Sequence, residues 1–258
     1  MTITNTSALQ RLRRRRIKRA LALCVSILIL YLAGLAGHTL ANSSFFDLAE
    51  ITVEGYTTVS RDEIVALSGL RIGANILKVS RKQAEANILS QPYIKEANVT
   101  YVFPAKVEIR IVERTPLAMI SADERYLILD KNGYCLREIS LATAESIELP
   151  GIRCSSGAVL LRPGEQSEDK GVQAALALIN KLDPLFMGNI LEFYAPSAEK
   201  LMIINKDGLP VYFGPPEDLD RKLQNYEELL IKNAEKCNAQ TLEYVDLRYD
   251  TQITLSRK

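Results

Sequence analysis

Leu21–Leu40 reads LALCVSILILYLAGLAGHTL, twenty residues with no formal charge apart from a proton that His38 can take up near the end. As a helix rising 1.5 Å per residue, such a run is about 30 Å long, the thickness of one hydrocarbon core. The bases Arg11, Arg13, Arg14, Arg15, Arg16, Lys18 and Arg19 directly precede it, and no acid occurs before Asp47. A positive cluster beside a span stays in the cytoplasm, so the remainder of the chain is expected outside it. A cleaved secretory signal is the rival reading, with Ala36 and Ala41 as small residues for a peptidase. Its apolar region runs to only ~7–15 residues, and the longer run here favours an anchor. The expectation is a cytoplasmic basic tail over 1–20 and a single-pass helix over 21–41 lying in the lipid bilayer. Ala33 and Gly37 form a small-xxx-small pair, a weak helix-dimer signal.

The charge split shapes the rest. The whole chain carries 32 basic and 31 acidic side chains, and with seven bases in the tail the body is left with 25 against 31. An acidic body behind a basic arm argues against a nucleic-acid partner, because the arm is already accounted for as a topology signal. His38 is the only histidine, which excludes a histidine triad or a two-histidine metal site. No GxxxxGK[ST] or GxGxxG run is present, and Glu165-Gln-Ser-Glu-Asp169 lacks the spacing of a calcium loop. No catalytic residue, metal or cofactor is expected. Cys135, Cys154 and Cys237 would face an oxidising compartment. Cys135 and Cys154, the only pair close in sequence, could form a disulfide or remain unpaired core thiols.

Beyond the span the pattern alternates in short pieces. Ala49, Ile51 and Val53 interleave with Glu50, Thr52 and Glu54, a half-buried strand closed by Gly55. Ser60 is placed to cap a helix with Glu63 reaching back to it, Val59 to staple onto Ile64, and Gly69 to stop the helix. The same grammar recurs from Val79-Ser80, giving a helix that ends before Pro92. Val99, Tyr101 and Phe103 share one strand face; Val107, Ile109 and Ile111 share the next, opposite Lys106, Glu108 and Arg110. The order is strand, helix, helix, strand, strand.

The remaining sequence carries two hairpin signals. Asn132-Gly133 tolerates positive φ at both central turn positions, between Tyr126–Asp130 and Tyr134–Arg137. Asp207-Gly208 precedes Pro210, whose strand should start late or lie at an edge. Val172, Ala175, Leu176, Ile179 and Leu182 form one helical stripe, and Leu219, Leu223, Tyr226 and Leu230 another, both read as core-facing. Thr241–Tyr249 reads as a closing strand with Val245, Leu247 and Tyr249 on one face and Tyr244, Asp246 and Arg248 on the other.

The first module resembles a polypeptide-transport-associated (POTRA) domain of the type found in the bacterial cell-division FtsQ/DivIB family. The residues behind this are Ile51-Thr-Val-Glu-Gly55, Gly73-Ala-Asn-Ile-Leu77, Pro92-Tyr-Ile-Lys-Glu-Ala-Asn-Val99 and Glu113-Arg-Thr-Pro-Leu-Ala118. The second module is similar to the β domain of that family, through Leu129-Asp-Lys-Asn-Gly133, Leu149-Pro-Gly-Ile152, Val211-Tyr-Phe-Gly214 ahead of a helix with Lys222, and Tyr244-Val-Asp-Leu-Arg-Tyr249. The pattern departs from the family in having no Trp and a short cytoplasmic tail. The fold expected is α+β: one transmembrane helix, a POTRA domain over 46–116, and a mixed β domain with at least two helices over 117–258. The resemblance implies a non-enzymatic division scaffold at the septum. It would link early and late division proteins and bind two small single-span coiled-coil partners, FtsB (or DivIC) and FtsL. Strand addition at the last strand is the implied route, with Tyr244, Asp246, Arg248, Tyr249 and Thr251 as contact residues. Two other classes compete. A POTRA-bearing transport or envelope-assembly component would need a membrane β-barrel, which about 140 residues with two helical stripes do not supply; a membrane-anchored envelope enzyme would need a catalytic pair that no spacing singles out.

Overall fold

The computed structural model describes residues 6–122, 125–154, 160–233, 238–249 and 254–257. Helix α1 (Thr6–Ala41) includes Leu21–Ala41, a stretch long and apolar enough to cross a membrane once, with a mean hydropathy of 2.1 and none of it buried against the rest of the chain. The elements after it build two sheets, so the fold is α+β.

The smaller sheet is made by β1 (Glu50–Glu54), β2 (Ile94–Val102) and β3 (Lys106–Glu113), in the order β1-β3-β2. β1 lies parallel to β3, and β2 and β3 form an antiparallel hairpin. A parallel pair needs a long crossover, which α2 (Arg61–Ser68) and α3 (Arg81–Leu89) provide. Ser60 accepts from Glu63 N at 3.2 Å, and Gly69 closes α2 at φ 70°. Only half of the expected capping box forms: the Glu63 carboxylate instead accepts from Gln91 Nε2 at 2.6 Å, tying the ends of the two helices together. Ser80 caps α3 through Gln83 N. Val59, Ile64, Val107, Ile109 and Ile111 are buried as the alternation requires, whereas Phe103 departs from its expected face and is 58% exposed. Gly55 is obligatory: at φ 87° its backbone passes so close to Ile111 that a Cβ would stand 2.1 Å from that carbonyl oxygen.

The larger sheet has nine strands in the order β12-β11-β10-β9-β8-β7-β4-β5-β6. Its members are β4 (Pro116–Ala122), β5 (Arg125–Asp130), β6 (Cys135–Ile139), β7 (Gly151–Cys154), β8 (Ile190–Ala195), β9 (Met202–Asn205), β10 (Pro210–Tyr212), β11 (Leu242–Asp246) and β12 (Thr254–Arg257). Short helices α4 (Leu141–Ala144) and α6 (Pro184–Met187) join strands, while α5 (Lys170–Lys181) and α7 (Leu219–Asn233) carry the two apolar stripes. Val172, Ala175, Leu176, Ile179, Leu219, Leu223 and Tyr226 all enter one core with Phe193, Ile203 and Val211 of the sheet. α5 approaches β8 closely enough that a Cβ on Gly171 would meet Ala195 O at 2.3 Å.

Two sequence expectations change here and a third is narrowed. The 131–133 turn has positive φ at Gly133 alone, so it is a longer turn with a glycine in the left-handed region rather than a two-residue mirror-image turn; Asp130 Oδ1 accepts the N–H groups of Asn132 and Tyr134 and stabilises it. Pro210 starts its strand, as expected, but β10 lies inside the sheet between β9 and β11. Cys135 and Cys154 are free, and Cys237 lies outside the described residues. β6 and β7 are separated by β5 and β4, three inter-strand steps or about 14 Å, well beyond disulfide reach. Burial pushes both thiols up to about 11, which keeps them in the unreactive protonated form.

Candidate partner-binding edge

The β10–α7–β11 crossover positions the end of the large sheet. Phe213, Gly214 and Pro215 turn the chain from β10 towards α7. The buried Lys222, one turn into α7, donates to Phe213 O at 2.9 Å and Pro215 O at 2.8 Å and so fixes that turn. β11 then runs parallel to β10, with Val211 beside Val245 and Tyr212 beside Asp246. Leu247 N continues the pairing by donating to Tyr212 O at 2.8 Å.

Alternation puts Val211 and Val245 in the core and Tyr212, Tyr244 and Asp246 on the opposite face. The Tyr212 and Tyr244 rings meet edge to face at 5.7 Å. Asp246, only 4% exposed, accepts Arg248 Nε at 2.9 Å, Nη2 at 2.6 Å and the Arg248 backbone N–H at 3.0 Å. The Arg248 side-chain bonds hold the Asp246 carboxyl below its ordinary range against the opposing pull of burial. The same guanidinium lies 5.3 Å from the Tyr212 ring centre and 5.7 Å from that of Tyr249, which is 65% exposed. Four of the five expected contact residues, Tyr244, Asp246, Arg248 and Tyr249, are therefore brought into one aromatic and cationic cluster; Thr251 lies outside the described residues.

The strand carrying the cluster is not the sheet edge that the sequence reading expected. β11 ends at Asp246, and its far side is occupied by β12 through the antiparallel pairs Tyr244–Ser256, Val245–Leu255 and Asp246–Thr254. Ser256 Oγ also donates to Glu243 Oε2 at 2.9 Å. The edge is therefore Thr254–Arg257. Its sequence signal was the brief alternation of Ile253 and Leu255 with Thr254 and Ser256, too short and polar beside Thr241–Tyr249 to stand out. Among the described residues no strand pairs with the outer side of β12. None of the described residues forms a group of three or more His, Cys, Asp or Glu side chains that could hold a metal.

Two family models match. The one described as "POTRA domain, FtsQ-type" covers residues 46–114, and the one described as "Cell division protein FtsQ/DivIB, C-terminal" covers 118–248. The second alone spans half the chain. The chain belongs to the FtsQ/DivIB family of cell division proteins. Relatives agree along nearly its whole length. Cell division protein FtsQ of Syntrophotalea carbinolica is 27% identical over 88% of this chain and 79% of its own. Cell division protein DivIB of Clostridium botulinum (strain Loch Maree / Type A3) is 26% identical over 92% of this chain and 90% of its own. Cell division protein FtsQ of Geobacter sp. (strain M21) is 28% identical, over 92% and 84%. The FtsQ/DivIB C-terminal match takes in β4 to β11 and ends at Arg248, six residues ahead of β12.

Proposed function

We propose that this protein is a non-enzymatic divisome scaffold, anchored once in the cell membrane at the septum, with its amino terminus in the cytoplasm and its body outside. Its partners are the two small bitopic coiled-coil division proteins of the FtsB/DivIC and FtsL kinds. The basic tail ahead of the apolar helix supports the orientation. The observation that carries the binding mode is the outer side of β12, a sheet edge with no paired strand among the described residues. Such an edge offers main-chain N–H and C=O groups in a row, and a partner segment adds to it as a further strand. Tyr244, Arg248 and Tyr249 flank that edge and supply side-chain recognition, while Asp246 is taken up in positioning Arg248. The domains that do this work are the POTRA unit over 46–116 and the β unit over 117–258.

A tagged copy in dividing cells tests the reading. It should gather at mid-cell and co-purify with two small single-span coiled-coil proteins. A uniform membrane signal with no such partners would overturn it.

A further inference from the structure

Phe103 was expected on the core face of β2 and instead stands outside the core, and it has company. Phe45 is 60% exposed, Ile72 63%, Leu77 46% and Val102 39%. These residues lie on three connections, and hydrogen bonds gather all three at the end of the small sheet where the chain arrives from α1. Leu48 N donates to Ala74 O, and Ala49 N donates to Ala105 O. Asn75 Nδ2 donates to Ala41 O at 2.8 Å, tying the 71–78 segment to the last residue of the apolar helix. The Phe46 ring stands 5.2 Å from Phe45 and 6.4 Å from Phe103, edge to face in both cases, joining the entry turn to the β2–β3 tip.

Single exposed apolar side chains are ordinary on a protein surface, but several gathered at one end of a domain mark a contact site. Continuity with the apolar helix decides what covers this one. Leu21–Ala41 is the candidate span, and Phe45 follows Ala41 by four residues. A bilayer extends about 5–7 Å beyond its hydrocarbon core on each side, and aromatic and aliphatic side chains settle at that boundary. We propose that this end of the POTRA sheet is seated in the outer leaflet, with Phe45, Ile72, Leu77, Val102 and Phe103 at the headgroup–acyl boundary. The body is then held at a set height and tilt above the membrane instead of hanging from a loose stalk, and the β12 edge is presented at a defined distance from the lipid.

The inference rests on α1 spanning the membrane, and the test separates the two. The chain contains no Trp, so Phe45→Trp and Phe103→Trp each create a single reporter in the full-length protein. Leu185→Trp, at a residue 80% exposed on α6, is the control. Each variant is placed in phosphatidylcholine vesicles carrying bromine either near the ester end or near the methyl end of the acyl chain. The proposal predicts blue-shifted emission at positions 45 and 103, quenched most by bromine near the ester end, and unshifted, unquenched emission at 185. Quenching at 45 and 103 no greater than at 185 would overturn it. So would a blue shift that bromine does not quench, because protein rather than lipid would then cover the patch. Extraction of the chain by alkaline carbonate would overturn the membrane span and this inference together, whereas retention with unquenched reporters would remove the inference alone.

Discussion

The two ends of the nine-stranded sheet face the same physical problem and meet it differently. At one end, β6 is closed by its own chain: Cys135 N donates to Glu165 O, Gly164 N to Cys135 O and Ser167 N to Gly133 O, so the 164–167 segment covers the start of the strand. Charged Arg137 and Glu138 follow, with Glu138 paired to Arg125 at 2.8 Å. Just inside this edge, Asp130 holds Arg114 at 2.8 Å, and the Arg114 guanidinium lies 3.6 Å from the centre of the Tyr134 ring. At the other end, β12 is four residues long and carries no strand on its outer side among the described residues. The sheet covers the start of one edge strand with its own chain and leaves the other edge short and, among the described residues, unpaired. That is the difference expected if the first end guards the fold and the second is the one we propose takes a partner strand.

The comparison makes graded predictions. The largest effect belongs to the closed end. Arg114→Ala leaves Asp130, which is 3% exposed, without its counter-charge, and should cost about 3 kcal/mol in urea unfolding while leaving partner affinity nearly unchanged. A loss of binding with little loss of stability would reverse the assignment of the two ends. At the open end, Leu255→Pro and Ser256→Pro each remove a main-chain donor, and adjacent residues aim their donors to opposite sides of a strand. One of the two should therefore weaken partner binding about tenfold, with the core of the sheet intact by circular dichroism.

Arg248→Ala tests the flank of the open end. Asp246 would lose its charged donor but keep some access to water through the half-exposed Arg248 position, so about 1–2 kcal/mol of stability should be lost, together with measurable affinity. The last effect, read through its pH dependence, lies between the two sheets. Burial pulls the Glu113 carboxyl up, but the N–H groups of Thr57, Thr58 and Val59 and the Thr57 hydroxyl outweigh it and bring the pKa down to about 2. A depressed carboxyl adds stability above its unfolded value, and that stability fades as pH falls from about 4.5 to about 2. Glu113→Gln should flatten the melting temperature across this window, and wild-type and variant should converge at its acid end. A variant that kept the wild-type slope would place the pH dependence on another group.

Much of the fold was legible because local signals agreed with one another. Ser60, Ser80, Gly55 and Gly69 punctuate the small unit where caps and turns require them, and the stripes of α5 and α7 reached the core as their spacing indicated. What the sequence withheld was pairing. Nothing local says that β11 enters between β10 and β12, so Tyr244–Arg248 read as an edge when it is one strand inward. Nothing local separates Cys135 from Cys154 by two intervening strands. Alternation also cannot say where a strand face leaves the core, which is why Phe103 looked like a continuation of Val99 and Tyr101. The Tyr244–Tyr249 cluster was visible as residues; its position beside the edge, rather than on it, needed the third dimension.

Hydrogen exchange reads strand addition at β12 amide by amide. The body is compared alone and with the extracytoplasmic segments of the FtsB/DivIC and FtsL partners added. The outward-facing amides within Thr254–Arg257 should gain protection, those of Cys135–Ile139 should not change, and Tyr244 and Tyr249 should report contact through altered ring resonances. Tight binding with no change in Thr254–Arg257, and protection arising elsewhere on the body, would contradict strand addition there.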